Sequence, residues 1–441
     1  MKRNRGSAVG ARKRWPSVTS TLVALGAVAV LSGCGTARPK DPPENLVCGL
    51  DKNELIVEDS FVRVFTASQA RPRPMGAAKP PFTVLSLSAG GEFGAYGAGF
   101  LGGWAAAGPK AVPVARSNVQ VVTGVSTGSM IATHAFLGEE ATVEKAFREL
   151  SGEDVYTERS KLSLITANSL LKADGKDRII ATFITPEVVQ RVVEKSEDGT
   201  RGLYIGVVDF DTGQFLRIDM VKLAKTIEPA SLRLDCFRAI LGASAAIPVA
   251  FPPKFVDGRM LVDGGARRHL FFTDLGAVSR DPDVTKSVIS FVHGDLSVES
   301  DKAVENGVLQ IAGRTASVFT DQGLKDSIVL QEVLATTCLT GVGLGCSADP
   351  AKPASPARTY YAAAAAAAKV CAPEKAKCVS STSGLNSEDM FCNAFMTCLA
   401  DLGRQDGLDM ASGKKRWLTL RDLNLSSQPP KGSRATRRWL Q

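Results

Sequence analysis

The chain has 441 residues, of which 44% are hydrophobic and 22% are charged, a balance typical of a folded globular protein. Its formal net charge is +8, but six lysines and arginines precede residue 34 and no acidic residue does, which leaves about +2 for the remainder. A nucleic-acid-binding role is therefore disfavoured, because it would need basic residues concentrated on the folded part of the protein.

The first 33 residues predict a lipoprotein signal peptide. An apolar run over 18–31 follows the basic residues, and it is too short and too unevenly flanked to remain as a transmembrane helix. Leu31-Ser32-Gly33-Cys34 then resembles the bacterial lipoprotein signal, in which the cysteine is acylated and becomes the new N-terminus. An ordinary signal peptide with a chance cysteine is the alternative. Because Gly35 follows Cys34 where an inner-membrane lipoprotein typically has aspartate, we expect an envelope lipoprotein, in the outer membrane if the host has one.

Residues 34–81 predict a tether and a small N-terminal segment, because proline and polar residues dominate both ends of this stretch. The alternating stretch Phe82–Leu87 predicts the first strand of a larger domain. Gly90 and Gly91 follow it and open a helix of small residues that runs to Trp104. Backbone N–H groups at such a turn converge on an anion, which suits a phosphate, a dinucleotide or an oxyanion.

Two of these three uses are disfavoured by the residues that follow the turn. A phosphate loop would need Gly-Lys-Ser or Gly-Lys-Thr, which does not follow here. The dinucleotide pattern occurs at Gly97, Gly99 and Gly102, but it begins about nine residues after the strand, and no acidic residue follows Glu92 at a distance suited to binding a ribose. We therefore interpret those glycines as packing residues and the turn as an oxyanion hole.

The central candidate is a serine on a sharp turn between a strand and a helix. Val119–Val122 is typical of a strand, Gly124-Val125-Ser126-Thr127-Gly128 interrupts it, and residues 129–137 have helical character. The elbow glycines Gly124 and Gly128 stand two positions on either side of Ser126, which lets the strand and the helix approach closely. This layout predicts Ser126 as a nucleophile, with its oxygen near the positive end of the helix.

A candidate base is predicted at the end of a hairpin. Lys254–Val256 and Arg259–Val262 flank the tight-turn pair Asp257-Gly258, and the second strand leads into Asp263-Gly264-Gly265. An aspartate at a strand end followed by two glycines can come close to another backbone. Asp263 is therefore the candidate general base for Ser126.

A metal site is not expected. Asp209, Asp211 and Asp219 lie around an earlier predicted hairpin, Leu203–Val208 with Gln214–Met220, where aspartates are more often turn formers. Their spacing is not that of a calcium loop. The sequence also has no C-x-x-C pair and only three histidines, which disfavours structural zinc.

A histidine triad is the alternative to a direct pair of Ser126 and Asp263. His134 lies on the helix that leaves the elbow and is expected in the core, and His269 follows Asp263 too closely to occupy a strand end of its own. His293 ends an apolar strand and is the best triad candidate. A direct serine–aspartate pair needs none of these residues.

After the domain 82–297, the sequence predicts a helical, cysteine-rich region over 298–441 that packs on it. Ala312–Thr337 has helical apolar spacing, and Ala362–Ala368 is an alanine run of high helix propensity but little bulk. Six cysteines surround these segments: Cys338, Cys346, Cys371, Cys378, Cys392 and Cys398. In an exported protein we expect disulfides among them to compensate for a small core, with the pairing left open. Cys392 and Cys398 would face different sides of one helix, so each is expected to bond elsewhere.

Together these motifs resemble the patatin-like phospholipase family. The resemblance covers about residues 82–295 and, more loosely, a final helix around Met390–Gly403. The matching segments are Gly94-Ala95-Tyr96, residues 122–128 of the elbow, Ala243–Pro253 and Val262–Gly265.

The resemblance implies a three-layer α/β/α sandwich around a mainly parallel sheet, and a serine lipid acyl hydrolase of the phospholipase A or lysophospholipase type. Ser126 would then be the nucleophile and Asp263 the general base of a dyad that acts through an acyl-enzyme. The N–H groups of Gly90 and Gly91 would form the oxyanion hole, while Gly264 and Gly265 complete the motif after the aspartate. The implied partner is a membrane phospholipid or another acyl-ester lipid, with no cofactor.

Two residues depart from the family pattern in the turn after the first strand. Ala89 stands where a glycine is usual, and Phe93 stands where an arginine or lysine is usual. Loss of that cation removes a positive charge near the developing oxyanion. The rival interpretation is therefore a lipoprotein that binds lipid or protein on a patatin-like scaffold without turnover.

Overall fold

The computed structural model describes residues 42, 44–58, 82–155, 157–158, 169–272, 284–294, 296, 308–336, 356–378, 391–423 and 425. The predicted signal peptide, Cys34, most of the tether, Cys338 and Cys346 lie outside these residues. The predicted boundaries at residues 33, 81 and 297 stay predictions.

Strands are formed at eleven places in the described chain. They are β1 (Ile56–Glu58), β2 (Phe82–Leu87), β3 (Val121–Val125), β4 (Thr157–Glu158), β5 (Leu171–Lys172), β6 (Gly202–Asp209), β7 (Gln214–Asp219), β8 (Lys254–Val256), β9 (Arg259–Asp263), β10 (Lys286–Val292) and β11 (Arg358–Ala363). All except the separate pair β4–β5 belong to one sheet.

Helices precede or follow most of these strands. They are α1 (Gly94–Ala106), α2 (Thr127–Leu137), α3 (Glu140–Glu149), α4 (Gly152–Val155), α5 (Asp174–Phe183), α6 (Pro186–Lys195), α7 (Met220–Thr226), α8 (Ala230–Ser244), α9 (Val308–Thr336), α10 (Ala365–Ala376) and α11 (Asn393–Ala411). Short 3-10 turns at Gly91–Phe93 and Gly264–Ala266 precede α1 and follow β9.

The main sheet runs in the order β1-β7-β6-β3-β2-β10-β11, with β9 also paired to β6 and β8 paired to β9. The five strands from β6 to β11 in this order are mutually parallel, whereas β1, β7, β8 and β9 pair antiparallel. Every residue of β2, β3 and β10 is buried, as expected for central parallel strands that are covered on both faces. The predicted α/β sandwich with a mainly parallel sheet is confirmed.

The alanine run after residue 361 departs from the predicted helix. Ala362 and Ala363 end β11, where they pair in parallel with Phe291 and Val292 of β10, and the helix starts only at Ala365. Helix propensity is worth less than about 1 kcal/mol per residue, so pairing with a buried strand overrides it. The cysteine-rich region therefore contributes a strand to the sheet as well as helices.

Gly99 of the apparent dinucleotide pattern and the nearby Gly103 lie in a close contact between α1 and α11. A Cβ atom on Gly99 would lie 2.0 Å from the carbonyl oxygen of Ala400, and one on Gly103 would lie 2.0 Å from that of Arg404. The opposite helix has the same requirement, since a Cβ atom on Gly403 would lie 2.1 Å from the oxygen of Tyr96. These glycines let two helix backbones touch, which is a packing role.

Disulfides join distant parts of the described chain. Cys48 bonds to Cys236 of α8 and ties the N-terminal segment to the main domain. Cys371 bonds to Cys398, and Cys378 bonds to Cys392, so that α10 is linked to both the start and the body of α11. The predicted stapling of this region is confirmed for these two bridges, and Cys392 and Cys398 do take different partners. Within the described residues, none of the helices has the length and apolarity needed to cross a membrane.

The contact between α1 and α11 predicts that Gly99→Ala destabilises the protein. The added methyl group must displace backbone, and overpacking of this kind costs about 1–3 kcal/mol. Thermal unfolding of the full-length protein should therefore shift to lower temperature. Gly323→Ala in α9 is the matched control, because its Cβ atom would meet nothing nearer than 3.4 Å and alanine favours helix. Equal melting temperatures for the two variants would contradict the packing role.

Candidate active site

The two predicted site residues meet because neighbouring residues of β6 hold the ends of two different strands. Val125, the last residue of β3, is aligned with Gly206 of β6. Asp263, the last residue of β9, is aligned with the next residue, Val207. Ser126 and Asp263 thus lie side by side, although 137 positions separate them in the sequence.

Ser126 occupies the sharp turn expected of an elbow. Its φ is 54° and its ψ is −122°, a left-handed conformation that is strained for a non-glycine residue. The flanking glycines are required by contact, since a Cβ atom on Gly124 would lie 2.5 Å from the oxygen of Gly128, and one on Gly128 would lie 2.3 Å from the oxygen of Leu87. The serine is 6% exposed and begins α2.

The end of α8 fixes both residues from a third direction. Ser244 Oγ accepts the N–H of Ser126 at 3.0 Å and donates to the carbonyl of Gly206 at 2.8 Å. Two residues later, the carbonyl of Ala246 accepts the N–H of Asp263 at 2.9 Å. Sequence reasoning missed Ser244, because a serine at a helix end carries no signal of a remote partner.

Asp263 has the burial expected of a base rather than of a surface turn former. Its Oδ1 accepts the N–H of Gly265 at 2.7 Å, whereas Oδ2 is buried without a hydrogen bond of ordinary geometry within the described chain. Burial raises the pKa of this carboxyl to about 6, although the Ser126 hydroxyl, the Gly265 N–H and the charge of Lys176 each act to lower it. Near neutral pH it is an anion that a serine proton could partly neutralise.

The turn after β2 borders the same space through Gly91. Gly91 has a φ of +55° and lines a pocket together with Ser126. No partner for the N–H of Gly90 or Gly91 is found in the described chain. Gly90 must be glycine, because a Cβ atom there would lie 1.5 Å from the carbonyl oxygen of His293.

An apolar pocket leads away from Ser126 between the helices. It encloses about 940 Å³, part of it open to solvent. Most of its walls are aliphatic or aromatic side chains of α2, α3, α5 and α8, among them Met130, Phe147, Ile180 and Leu241. Such a space fits an extended hydrocarbon chain attached to the group that Ser126 would attack.

Residues 85–275 match the family described as patatin-like phospholipase. The chain contains a patatin-like phospholipase domain. This assignment supports a lipid ester hydrolase and agrees with the resemblance recognised in the sequence. No curated protein was found to match the chain.

Solved structures with some similarity include two proteins of other organisms. VipD from Legionella pneumophila has 12% sequence identity and a TM-score of 0.33, over 76% of this chain and 68% of that one. Human GIVD cytosolic phospholipase A2, in complex with methyl γ-linolenyl fluorophosphonate, has 11% identity and a TM-score of 0.28, over 80% of this chain and 62% of that one. Similarities this low carry no argument about the patatin-like domain.

The departures from the family pattern have structural partners in the C-terminal region. Phe93 packs edge-on against Phe395 of α11, with ring centroids 5.7 Å apart. The adjacent Glu92 accepts two hydrogen bonds from Lys375 Nζ, at 2.6 and 2.7 Å, and one from the N–H of Cys392 at 3.2 Å. The stapled region thus holds the turn of the patatin-like domain in place. Ala89 is not among the described non-glycine residues of positive φ, so alanine in place of the usual glycine does not strain the backbone.

The histidines of the patatin-like domain do not form a triad. His134 is held between Glu139 Oε2, at 2.9 Å, and the carbonyl of Phe183, at 3.2 Å. His293 bonds to the carbonyl of Ser88 through Nδ1, while neither ring nitrogen of His269 has a hydrogen-bond partner in the described chain. Burial lowers the pKa of both His269 and His293 to about 4, so they are neutral at ordinary pH. No hydrogen bond from these rings to Ser126 or Asp263 is found in the described residues.

The burial of Asp263 predicts how serine reactivity depends on pH. A base must be ionised to accept the serine proton, so reactivity should fall as the pH drops through about 6, the raised pKa of Asp263. The rate of labelling by a fluorophosphonate probe, measured from pH 4.5 to 7, should follow this ionisation. Asp263→Asn should react slowly at every pH, and a profile that is flat down to pH 4.5 would contradict the assignment.

Proposed function

We propose that the protein is a serine lipid acyl hydrolase, of the phospholipase A or lysophospholipase type, that cleaves carboxylic esters of membrane lipids. The supporting observation is the placement of Ser126, on a strained elbow, beside the buried carboxylate of Asp263 and in the lining of an apolar pocket. The family assignment supports the coarser statement of lipid ester hydrolysis. The dyad and the acyl-enzyme are parts of our proposal.

In the first half of the reaction, Ser126 Oγ attacks the ester carbonyl as Asp263 takes its proton. The negative charge that develops on the carbonyl oxygen is stabilised by the N–H groups of Gly90 and Gly91. Asp263 then gives the proton to the departing alcohol, which leaves an acyl group on the serine. Water attacks this acyl-enzyme with the same base and the same donors, and the free fatty acid is released.

The pocket determines which part of the lipid enters. Its walls are mostly apolar, so the acyl chain is the favourable occupant, while a charged head group would lose hydration there. The head group would then remain on the open side, near Ser126. This arrangement suits a phospholipid or lysophospholipid presented by a membrane surface.

Loss of Ser126 is expected to abolish hydrolysis. Ser126→Ala removes the nucleophile but only one buried oxygen atom, so release of fatty acid from phospholipid vesicles should fall by about 10³-fold or more, with unchanged thermal unfolding. His269→Gln and His293→Gln should keep serine-dependent activity, because neither ring takes part. Activity lost in a histidine variant that still folds would favour a triad.

The same experiment separates turnover from simple binding. A non-catalytic scaffold would bind vesicles equally in the parent and in Ser126→Ala, and would show neither fatty-acid release nor serine-dependent labelling by fluorophosphonate. That result would overturn the enzymatic proposal.

We also propose that the protein is an exported lipoprotein anchored through Cys34. The disulfides Cys48–Cys236, Cys371–Cys398 and Cys378–Cys392 support export, because such bonds persist in oxidising compartments. A single acyl chain binds a membrane only weakly, so stable anchoring would need the multiple chains that a lipoprotein cysteine carries.

Anchoring can be checked by metabolic labelling. In a bacterial host with a lipoprotein pathway, the full-length protein should incorporate radiolabelled palmitate and sediment with membranes. Cys34→Ala should lose both properties, whereas Cys48→Ala should keep the label. Equal labelling of Cys34→Ala and the parent would refute the anchor.

A further inference from the structure

Lys176 is a buried lysine in the wall of the active-site pocket, with no role in the dyad or the oxyanion hole. It lies in the first turn of α5 and is 6% exposed. Its Nζ donates to the carbonyls of Gly242, at 2.8 Å, and Ala245, at 3.1 Å, and lies 5.0 Å from the centre of the Phe251 ring. A charged side chain is rarely buried unless polar partners compensate for its lost hydration.

The two carbonyls that Lys176 binds belong to the segment that holds the dyad. Gly242 and Ala245 lie on either side of Ser244, whose hydroxyl accepts the N–H of Ser126. The next carbonyl along the chain, that of Ala246, accepts the N–H of Asp263. The ammonium group therefore binds carbonyls at the C-terminal end of α8, where the helix dipole is negative. This end of α8 contacts both Ser126 and Asp263.

Lys176 also acts on Asp263 by charge. The two groups interact through the protein interior, where the ammonium lowers the pKa of the carboxyl and the carboxylate raises that of the lysine. Burial, the larger effect, lowers the pKa of Lys176 to about 8, so it is still mostly protonated at neutral pH. The other charges near it are Asp177 and Lys254, which pair with each other at 2.6 Å.

The groups that face Asp263 are few. Besides Lys176, they are the Ser126 hydroxyl and the Gly265 N–H. His269, on the segment after Gly265, is neutral because burial lowers its pKa to about 4. Among these groups in the described chain, Lys176 is the one that brings a positive charge.

We propose that Lys176 is a positioning residue whose ammonium group holds the end of α8 against Ser126 and Asp263 and places a positive charge in the wall of the pocket that Ser126 also lines. This inference rests on the proposed hydrolase function. It assigns the positive charge of the site to α5, in a chain that has Phe93 where the family usually has a cation. The lysine contacts neither reacting atom, so it acts through Asp263, Ser126 and their backbone supports.

The proposal predicts a shift in the pH profile, which a purely structural residue would not cause. In Lys176→Met, a neutral side chain of similar length, the carboxyl loses its nearby cation and becomes easier to protonate. The acid limb of kcat/KM, and of fluorophosphonate labelling, should move upward by about one pH unit. Activity at pH 6 should fall about fivefold more than activity at pH 8.

Two further substitutions separate charge from hydrogen bonding. Lys176→Gln keeps a donor without the charge, so its acid limb should shift like that of Lys176→Met with a smaller loss at high pH. Lys176→Arg keeps the charge and should restore the parent acid limb, even if the bulkier group lowers kcat. Lys195→Met, at the exposed end of α6, is the matched control and should leave the profile unchanged.

The outcomes distinguish this inference from the proposed function. If the parent protein shows no activity that depends on Ser126, the hydrolase proposal fails and the role of Lys176 fails with it. If the parent is active but Lys176→Met or Lys176→Gln, folded by thermal unfolding, has the parent acid limb, only the present inference is overturned. Should Lys176→Met not fold, Lys176→Gln decides the test in the same way.

Discussion

The structure depends on a close crossing of backbones at Gly206 and Val207 of β6. β3 ends beside Gly206 and leads directly into Ser126. β9 ends at Asp263, beside Val207, the next residue of β6. The space is so limited that a Cβ atom on Gly264 would lie 2.6 Å from the carbonyl oxygen of Gly206. Because the sheet itself sets this spacing, no loop is needed to bring Ser126 and Asp263 together, and sheet residues fix the pair more firmly than loop residues could.

Burial has opposite effects on the two charged groups of the site. It makes Asp263 a stronger base by disfavouring the anion, and it weakens the hold of Lys176 on its proton. Each charge offsets part of the desolvation of the other, and backbone groups bind Lys176 Nζ and Asp263 Oδ1. The site is therefore polar only where the reaction would need it, whereas the adjoining pocket is apolar.

The local parts of the site could be predicted from the sequence, because their signals lie in short contiguous segments. The elbow around Ser126 and the strand end at Asp263 each combine glycine spacing with a neighbouring hydrophobic run. Ser244, Lys176 and Lys375 could not be predicted, since each acts on a partner that folding alone brings near. Ala362 and Ala363 were assigned to a helix because propensity was the available evidence, while the partner strand β10 decided their conformation.

Strand β11 makes the C-terminal region part of the main sheet. It covers the open edge of β10 through six aligned residue pairs, and it comes from the part of the sequence beyond residue 297. A fragment that stopped there would leave a fully buried, apolar strand as a bare edge, with unpaired backbone donors and acceptors ready to join another chain. The apparent extension therefore completes the main sheet, because β11 supplies the hydrogen-bonding partner of β10 on that edge.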